Sequence, residues 1–252
     1  MLRHEAAPSG TSAGSGSASP PCAVRPAEVP LPPPDPVRSG RRRALRRTRC
    51  LVGTVLLDMG GVVIPTLFES TAVPGFPAGP TGPDSEYRAV ERGAEQERDY
   101  WARLAQRRPD LDIGALWRTC SYVRAEVTGL LARLAGRVRV VAFTNDMAHW
   151  FGADWPARFP AVTRFDGVLE AAALGVLIPD PAAVSAAAAA LGEDPRRCLF
   201  VDDLAANLDG ARAVGMAAQL FDVTDPAGSV ARVLDALGLP ADEPARRRVW
   251  AP

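Results

Sequence analysis

The chain contains no lysine: all 29 of its Lys and Arg positions are arginine. A site that needs a compact ammonium therefore has none to draw on. Histidine is almost as scarce, with only His4 and His149 in 252 residues. Four cysteines, Cys22, Cys50, Cys120 and Cys198, lie far apart, with no short Cys-Cys or Cys-His spacing. Zinc ligation is excluded, and reduced thiols in a cytoplasmic protein are expected. No run approaches 18 uncharged apolar residues, so no membrane span is expected. The stretch from Arg41 to Leu57 imitates a signal peptide, but Asp58 interrupts the apolar run and no small-residue cleavage site follows.

The formal net charge of zero conceals a split. Residues 1–50 hold nine arginines against Glu5, Glu28 and Asp35, an excess of six positive charges that the remainder offsets. The body has no basic excess, so no nucleic-acid partner is expected. Residues 1–49 are rich in Pro, Ser, Gly and Arg and hold too few large apolar side chains to offset the entropy of ordering. A disordered leader, dispensable for folding, is expected there. Its arginine cluster reads as a solvated tail or as a contact for an anionic partner.

From Leu51 onward, short apolar runs alternate with helical patterns, the signature of a parallel sheet covered on both faces. Strands are predicted near 51–58, 138–143, 165–169, 198–202 and 217–221, with helices near 147–154, 181–191, 204–214 and 227–237. The helix at 181–191 has the clearest ends, with Asp180 as N-cap, Pro181 first and Gly192 just past the last turn. About eighty residues separate the first two strands, far more than a crossover needs. They are predicted to form helices near 85–92, 95–107, 112–120 and 124–135, with Tyr100, Trp101 and Leu104 on one packed face. The expected fold is α/β, a Rossmann-like doubly wound sheet with a small inserted helical cap. The core spans 50–65 and 138–240, the cap 66–137, and a tail 241–252.

Three of the predicted strands end on polar residues. Val-Leu-Leu-Asp58-Met-Gly60-Gly61 closes the first, Phe-Thr144-Asn145 the second, and Phe-Val-Asp202-Asp203 the fourth. Parallel strands that stop on polar groups at one sheet edge build a site there, and paired glycines let a backbone approach a ligand closely. These segments, with Gly175-Val-Leu-Ile178-Pro179-Asp180-Pro181 and Glu91-Arg92-Gly93, resemble the haloacid dehalogenase superfamily, in particular members with a helical cap between the first and second motifs.

The resemblance implies a Mg²⁺-dependent hydrolase acting on a small phosphorylated metabolite. Asp58 would be the nucleophile and form an aspartyl-phosphate that water then hydrolyses. Mg²⁺ would bind Asp58, the Gly60 carbonyl and Asp202, with Asp203 orienting that shell. Thr144, Asn145 and Gly61 would hold phosphate oxygens. Two departures are expected to weaken activity. Gly60 stands where such phosphatases carry a second aspartate as general acid and base, a loss worth ~10²–10⁴ in rate. Ile178 stands where the family carries a lysine that balances the carboxylates and the phosphate. Two alternatives follow: a catalytically degenerate module of the same fold serving a partner, and a carbon–halogen hydrolase, whose halide leaves without a proton. His149 and Trp150 are candidates to touch substrate, and Trp155, Phe159 and Trp250 read as core or surface aromatics.

Overall fold

The computed structural model describes residues 52–119 and 122–239. The expected leader at 1–49, the tail at 241–252 and Trp250 lie outside the described residues. Five parallel strands, β1 (Thr54–Leu57), β2 (Arg139–Thr144), β3 (Gly167–Glu170), β4 (Cys198–Asp202) and β5 (Ala217–Leu220), form one sheet in the order β3-β2-β1-β4-β5. β1 is central, paired in register with β2 (Leu56 beside Val141) and β4 (Leu56 beside Phe200). All four of its side chains are buried, as expected of a strand covered on both faces.

Alternation along the strands sorts these side chains into two cores. Val55, Leu57, Val140, Ala142, Leu199 and Val201 belong to one, while Leu56, Phe143, Cys198 and Phe200 belong to the other. The helices in chain order are α1 (Leu67–Ser70), α2 (Tyr87–Glu91), α3 (Glu97–Arg107), α4 (Ile113–Thr119), α5 (Ala125–Leu134), α6 (Met147–Phe151), α7 (Trp155–Arg158), α8 (Ala171–Leu174), α9 (Pro181–Leu191), α10 (Ala205–Ala213) and α11 (Pro226–Ala236). Helices α5 and α11 help close the first core, and α8, α9 and α10 the second. In α9 the small buried residues Ala183, Ala187 and Ala188 let the helix lie close to the sheet. Its ends are those expected: Asp180 accepts from the Ala182 N–H at 2.8 Å, and Gly192 terminates it at φ 67°.

The helix expected over 147–154 ends early, at Phe151, and a second short helix follows beyond it. Gly152 adopts φ 88°, which ends α6 at Phe151, and α7 restarts at Trp155 with Pro156 in its first turn. The segment between β1 and β2 also starts with a short helix absent from the sequence reading. α1 is set by a capping box in which Thr66 accepts from the Glu69 N–H and Glu69 accepts from the Thr66 N–H. The rest of this insertion is held by aromatic contacts. Tyr100 and Trp101 are each 1% exposed, and Trp101 packs against Phe68, Tyr100 and Trp117. No helix among the described residues is long and apolar enough to cross a membrane.

Candidate active site

The first turn of the site is fixed by its main chain. The Asp58 N–H donates to the Val201 carbonyl at 3.0 Å, tying the end of β1 to β4. The next peptides fold back so tightly that the Val63 and Ile64 N–H groups both donate to the Met59 carbonyl. Gly61 sits at φ 75°, and a Cβ there would lie 2.3 Å from the Asp203 carboxylate. Only glycine permits both that conformation and that approach. Gly60 is different. Its φ is ordinary, and a Cβ would meet Asp58 Oδ2 at 3.9 Å and the Trp117 ring at 4.0 Å, so a side chain has room there.

Asp202, at the end of β4, is fully buried. Its carboxylate accepts from Asn207 Nδ2 at 3.0 and 3.1 Å and from the Leu204 N–H at 2.8 Å. Asp58 and Asp203 are half-buried, facing the same cleft. Burial is the main reason that the Asp58 carboxyl lies well above the ordinary range, with repulsion from Asp202 and Asp203 adding to it. Asp203 is raised in the same way, by burial and then by Asp202 and Glu97, with Arg124 opposing. Burial lifts Asp202 to about 7 against its hydrogen bonds. The edge thus holds more negative charge than its protein partners neutralise.

Thr144, 5% exposed, ends β2 beside this edge and lines the cleft. The Asn145 side chain is committed elsewhere: Oδ1 accepts from the Ile178 N–H at 2.9 Å and Nδ2 donates to the Ile178 carbonyl at 3.1 Å. Gln96, from the insertion, donates to the same carbonyl at 3.2 Å. The loop carrying Ile178 is therefore clamped through its backbone. Ile178 itself is 1% exposed and packs in the core with Leu56, Phe143 and Phe200. From its place beside Pro179 in a predicted loop, substitution at 178 is expected to do modest damage to folding, and this burial corrects that expectation. Gly210 of α10 backs the loop so closely that a Cβ would lie 2.2 Å from the Pro179 carbonyl.

The insertion forms the opposite wall of the cleft, which counts about 760 Å³ only when the open solvent at its mouth is included. Gly93, at φ 67°, brings the insertion against Ala206 of α10 and Pro179. Trp117 and Trp150 face each other with ring centroids 6.0 Å apart, and both line the cleft. His149 is exposed and stacks edge-on against Trp150 without lining it. Trp155 and Phe159 are core residues, 2% and 1% exposed.

Among the described residues, no lysine, arginine or histidine lines the cleft. Arg98 lies outside it, 3.5 Å from Asp146 in an ion pair joining the insertion to the turn after β2. The cation nearest the carboxylates by its effect is Arg124, 7% exposed, which donates from Nε and Nη2 to the Gly61 carbonyl at 3.2 and 3.0 Å and pairs with Glu69 at 2.6 Å. Its backbone N–H donates to the Val63 carbonyl. It holds the glycine turn from behind.

Sequence reasoning missed Arg124, Gln96 and Glu97. Arg124 is the N-cap of α5, an adverse place for a cation next to a helix's positive end, and that was its available signal. Glu97 stands three and four positions before Tyr100 and Trp101, so it shares the packed face already recognised on that helix. A carboxylate on an apolar stripe was the sign overlooked. Glu97 accepts from the Tyr87 hydroxyl at 3.3 Å, and burial pushes its carboxyl up to about 7, with Asp146 and Asp202 adding to the rise. The Trp101 indole opposes that rise, although its N–H makes no full hydrogen bond.

Among the described residues, no three His, Cys, Asp or Glu side chains are spaced as a metal cage. A magnesium ion does not require one. It takes hard oxygens, keeps several waters and is commonly held by one or two carboxylates. Asp58 and Asp203 face the cleft and Asp202 lies buried beneath it, and the carboxylates gathered there would suit a divalent cation.

A family model described as haloacid dehalogenase-like hydrolase matches residues 52–215. Phosphatase MT3486 of Mycobacterium tuberculosis is 43% identical over 74 residues, covering 29% of this chain and 34% of that protein. The chain thus spans about a third of the length of the curated relative it matches. Among solved structures, the L-2-haloacid dehalogenase RSc1362 shares the fold with a TM-score of 0.51 at 17% identity, over 68% of this chain and 86% of that one. The HAD family enzyme bt-2542 of Bacteroides thetaiotaomicron, a complex with magnesium and inorganic phosphate, gives a TM-score of 0.45 at 19% identity, over 68% and 95%. With its motifs at the ends of β1, β2 and β4 inside the matched span, the chain belongs to the haloacid dehalogenase-like hydrolases.

Proposed function

We propose that this hydrolase is a magnesium-dependent phosphatase of a small phosphorylated metabolite, with Asp58 as nucleophile. The observation that carries this reading is the position of Asp58. It directly follows the central strand, half-buried in the cleft and pinned through its N–H to β4, beside two further carboxylates that no lining cation among the described residues balances. The partial match to a protein named as a phosphatase supports it.

Bound by Asp58, Asp202 and the Gly60 carbonyl, magnesium would offset carboxylate and phosphate charge as a Lewis acid. Asp58 Oδ attacks phosphorus and the bond to the leaving oxygen breaks, giving an aspartyl-phosphate. Water then attacks the same phosphorus and releases phosphate and the Asp58 carboxylate. The Thr144 hydroxyl, the Asn145 main-chain N–H and the turn at Gly61 hold the phosphoryl oxygens. Asp203, seated against Gly61, would help hold the hydration shell of a bound Mg²⁺. Trp117, Trp150 and Tyr87 give the rest of the substrate an apolar, aromatic wall.

A carbon–halogen substrate with a carboxylate would find no lining cation to receive it, which favours the phosphate reading. The test is phosphate release from acyl, aryl and alkyl phosphates with and without Mg²⁺, with Asp58→Asn as blank and intact mass for a phosphoryl adduct. Release that needs both Mg²⁺ and Asp58 is expected. Halide release from 2-haloacids without metal would overturn the reading, and so would no reaction with any phosphate class.

A further inference from the structure

We infer that Glu97 is the proton donor and acceptor of this site, supplied by the helical insertion in place of the side chain that Gly60 lacks. The inference rests on the phosphatase reading.

A phosphatase that cleaves alkyl esters needs a group to protonate the leaving alkoxide, and that same group can then take a proton from the attacking water. No side chain at 60 can do either. Of the carboxyl groups in the cleft, Asp58 is the nucleophile and Asp203 is seated against Gly61. Glu95 is paired with Arg103, and Asp146 with Arg98. Among the described residues, Glu97 alone faces the cleft from the opposite wall with no cationic partner in an ion pair and no place in the expected metal set.

Its position is built. It stands in the first turn of α3, and Tyr100 and Trp101, on the same helical face, lock that helix into the aromatic core of the insertion. The Tyr87 hydroxyl donates to Oε1, so the hydrogen bond that holds Glu97 comes from the insertion and not from the aspartates. The titratable groups that act on it are Tyr87, Asp146 and Asp202, and Asp58 and Asp203 feel its charge in turn. Burial and these acidic neighbours favour the protonated form near neutral pH, where a general acid is most effective.

The step balances. As Asp58 Oδ bonds to phosphorus and the P–O bond to the leaving group breaks, the Glu97 proton passes to the leaving oxygen. In the second half, Glu97 carboxylate takes a proton from water as water oxygen bonds to phosphorus and the P–O bond to Asp58 breaks. Enzyme and proton count return to their starting state.

The test is single-turnover phosphoenzyme formation with 4-nitrophenyl phosphate and with glycerol 2-phosphate, in wild type, Glu97→Gln and Glu97→Gln/Gly60→Asp. Glu97→Gln should slow the alkyl ester about 100-fold or more and the aryl ester, whose leaving group needs no proton, by less than about tenfold. The fall in alkyl-ester rate above neutral pH should also vanish. Because Gly60 has room for a Cβ, the double variant should recover part of the alkyl-ester rate. Equal slowing of both esters, or none, would overturn the inference while leaving an active wild type as a phosphatase. A wild type that phosphorylates Asp58 with neither ester would overturn both. If Glu97→Gln does not fold, Tyr87→Phe removes the donor to Glu97 while keeping the ring. The alkaline limb of the alkyl-ester profile should then move upward, and an unmoved limb would count against Glu97.

Discussion

The two walls of the cleft are built by different means. The sheet edge is fixed by main-chain geometry: Asp58 bonded to Val201, the Met59 carbonyl capturing two amides, Gly61 pressed on Asp203. The insertion wall is fixed by side chains, through the aromatic cluster around Trp101, the Gln96 amide on Ile178 and the Arg98–Asp146 pair. Main-chain restraints hold a nucleophile within a few tenths of an ångström, as covalent chemistry requires. Side-chain restraints let the insertion vary what it presents without disturbing that edge. The edge consequently keeps Asp58 and Asp202 fixed even though Gly60 departs from the pattern there, and the insertion is where the carboxylate missing at Gly60 can be replaced.

Arg124 breaks this division, because one side chain of the insertion holds the turn of the sheet edge. Replacing it by Met would leave the Gly61 carbonyl and Glu69 without their partner in a largely buried place. We expect a loss of about 2 to 4 kcal/mol, below the full value for a wholly buried pair because Glu69 is partly solvated. Urea unfolding measures it, and Glu69→Gln in the same chain should recover part of the loss. A variant as stable as wild type would mean that the main chain alone holds the turn.

Ile178 sharpens the comparison. At the level of sequence, a lysine there promises a cation beside Asp58 at little cost, so Ile178→Lys should raise activity. The structure reverses that expectation. Its side chain is packed among Leu56, Phe143 and Phe200, and a lysine would carry its charge into that core or force the clamped loop out of place. We expect about 3 kcal/mol of destabilisation and no gain in rate, whereas Ile178→Met should cost less than about 1.5 kcal/mol. Thermal unfolding with initial rates separates the two outcomes. A stable, faster lysine variant would show that the side chain can swing into the cleft.

The parallel sheet and the polar ends of β1, β2 and β4 were legible in the sequence because these three strands, buried on both faces, are short apolar runs that stop abruptly at the edge. Asp58, Thr144 and Asp202 could be placed on that basis. The facing of Ile178 could not, since a loop has no periodicity to say which way a side chain turns. Nor could the clamp that Asn145 makes on it, which joins positions 33 residues apart. Glu97 was half legible: its helix and its packed face were read correctly, but a stripe judged by its apolar members hides an acid among them. The insertion's wall is assembled from long-range side-chain contacts, and such contacts leave little trace in local pattern.

The excess negative charge of the cleft should show itself in stability. Asp58, Asp202, Asp203 and Glu97 all bind protons more tightly in the folded chain than unfolded, chiefly because burial disfavours their charged forms. Their contribution is therefore fully present below the ordinary carboxylate range and is lost as pH rises through their folded values, about 7 for Glu97 and Asp202. Carboxyls lowered by partners, such as Asp84 and Asp222, act in the opposite sense but finish titrating near pH 5. Between pH 5.5 and 8 the raised group dominates, and the metal-free chain should lose stability. Glu97 alone should account for about 1 to 3 kcal/mol, discounted for its partial exposure. Glu97→Gln should flatten the slope and raise the midpoint at pH 8. Mg²⁺ should stabilise the wild type more at pH 8 than at pH 5.5, because there it competes with fewer bound protons. Thermal unfolding across this range checks both, and a midpoint independent of pH and of Mg²⁺ would mean that solvent already neutralises the edge that the insertion faces.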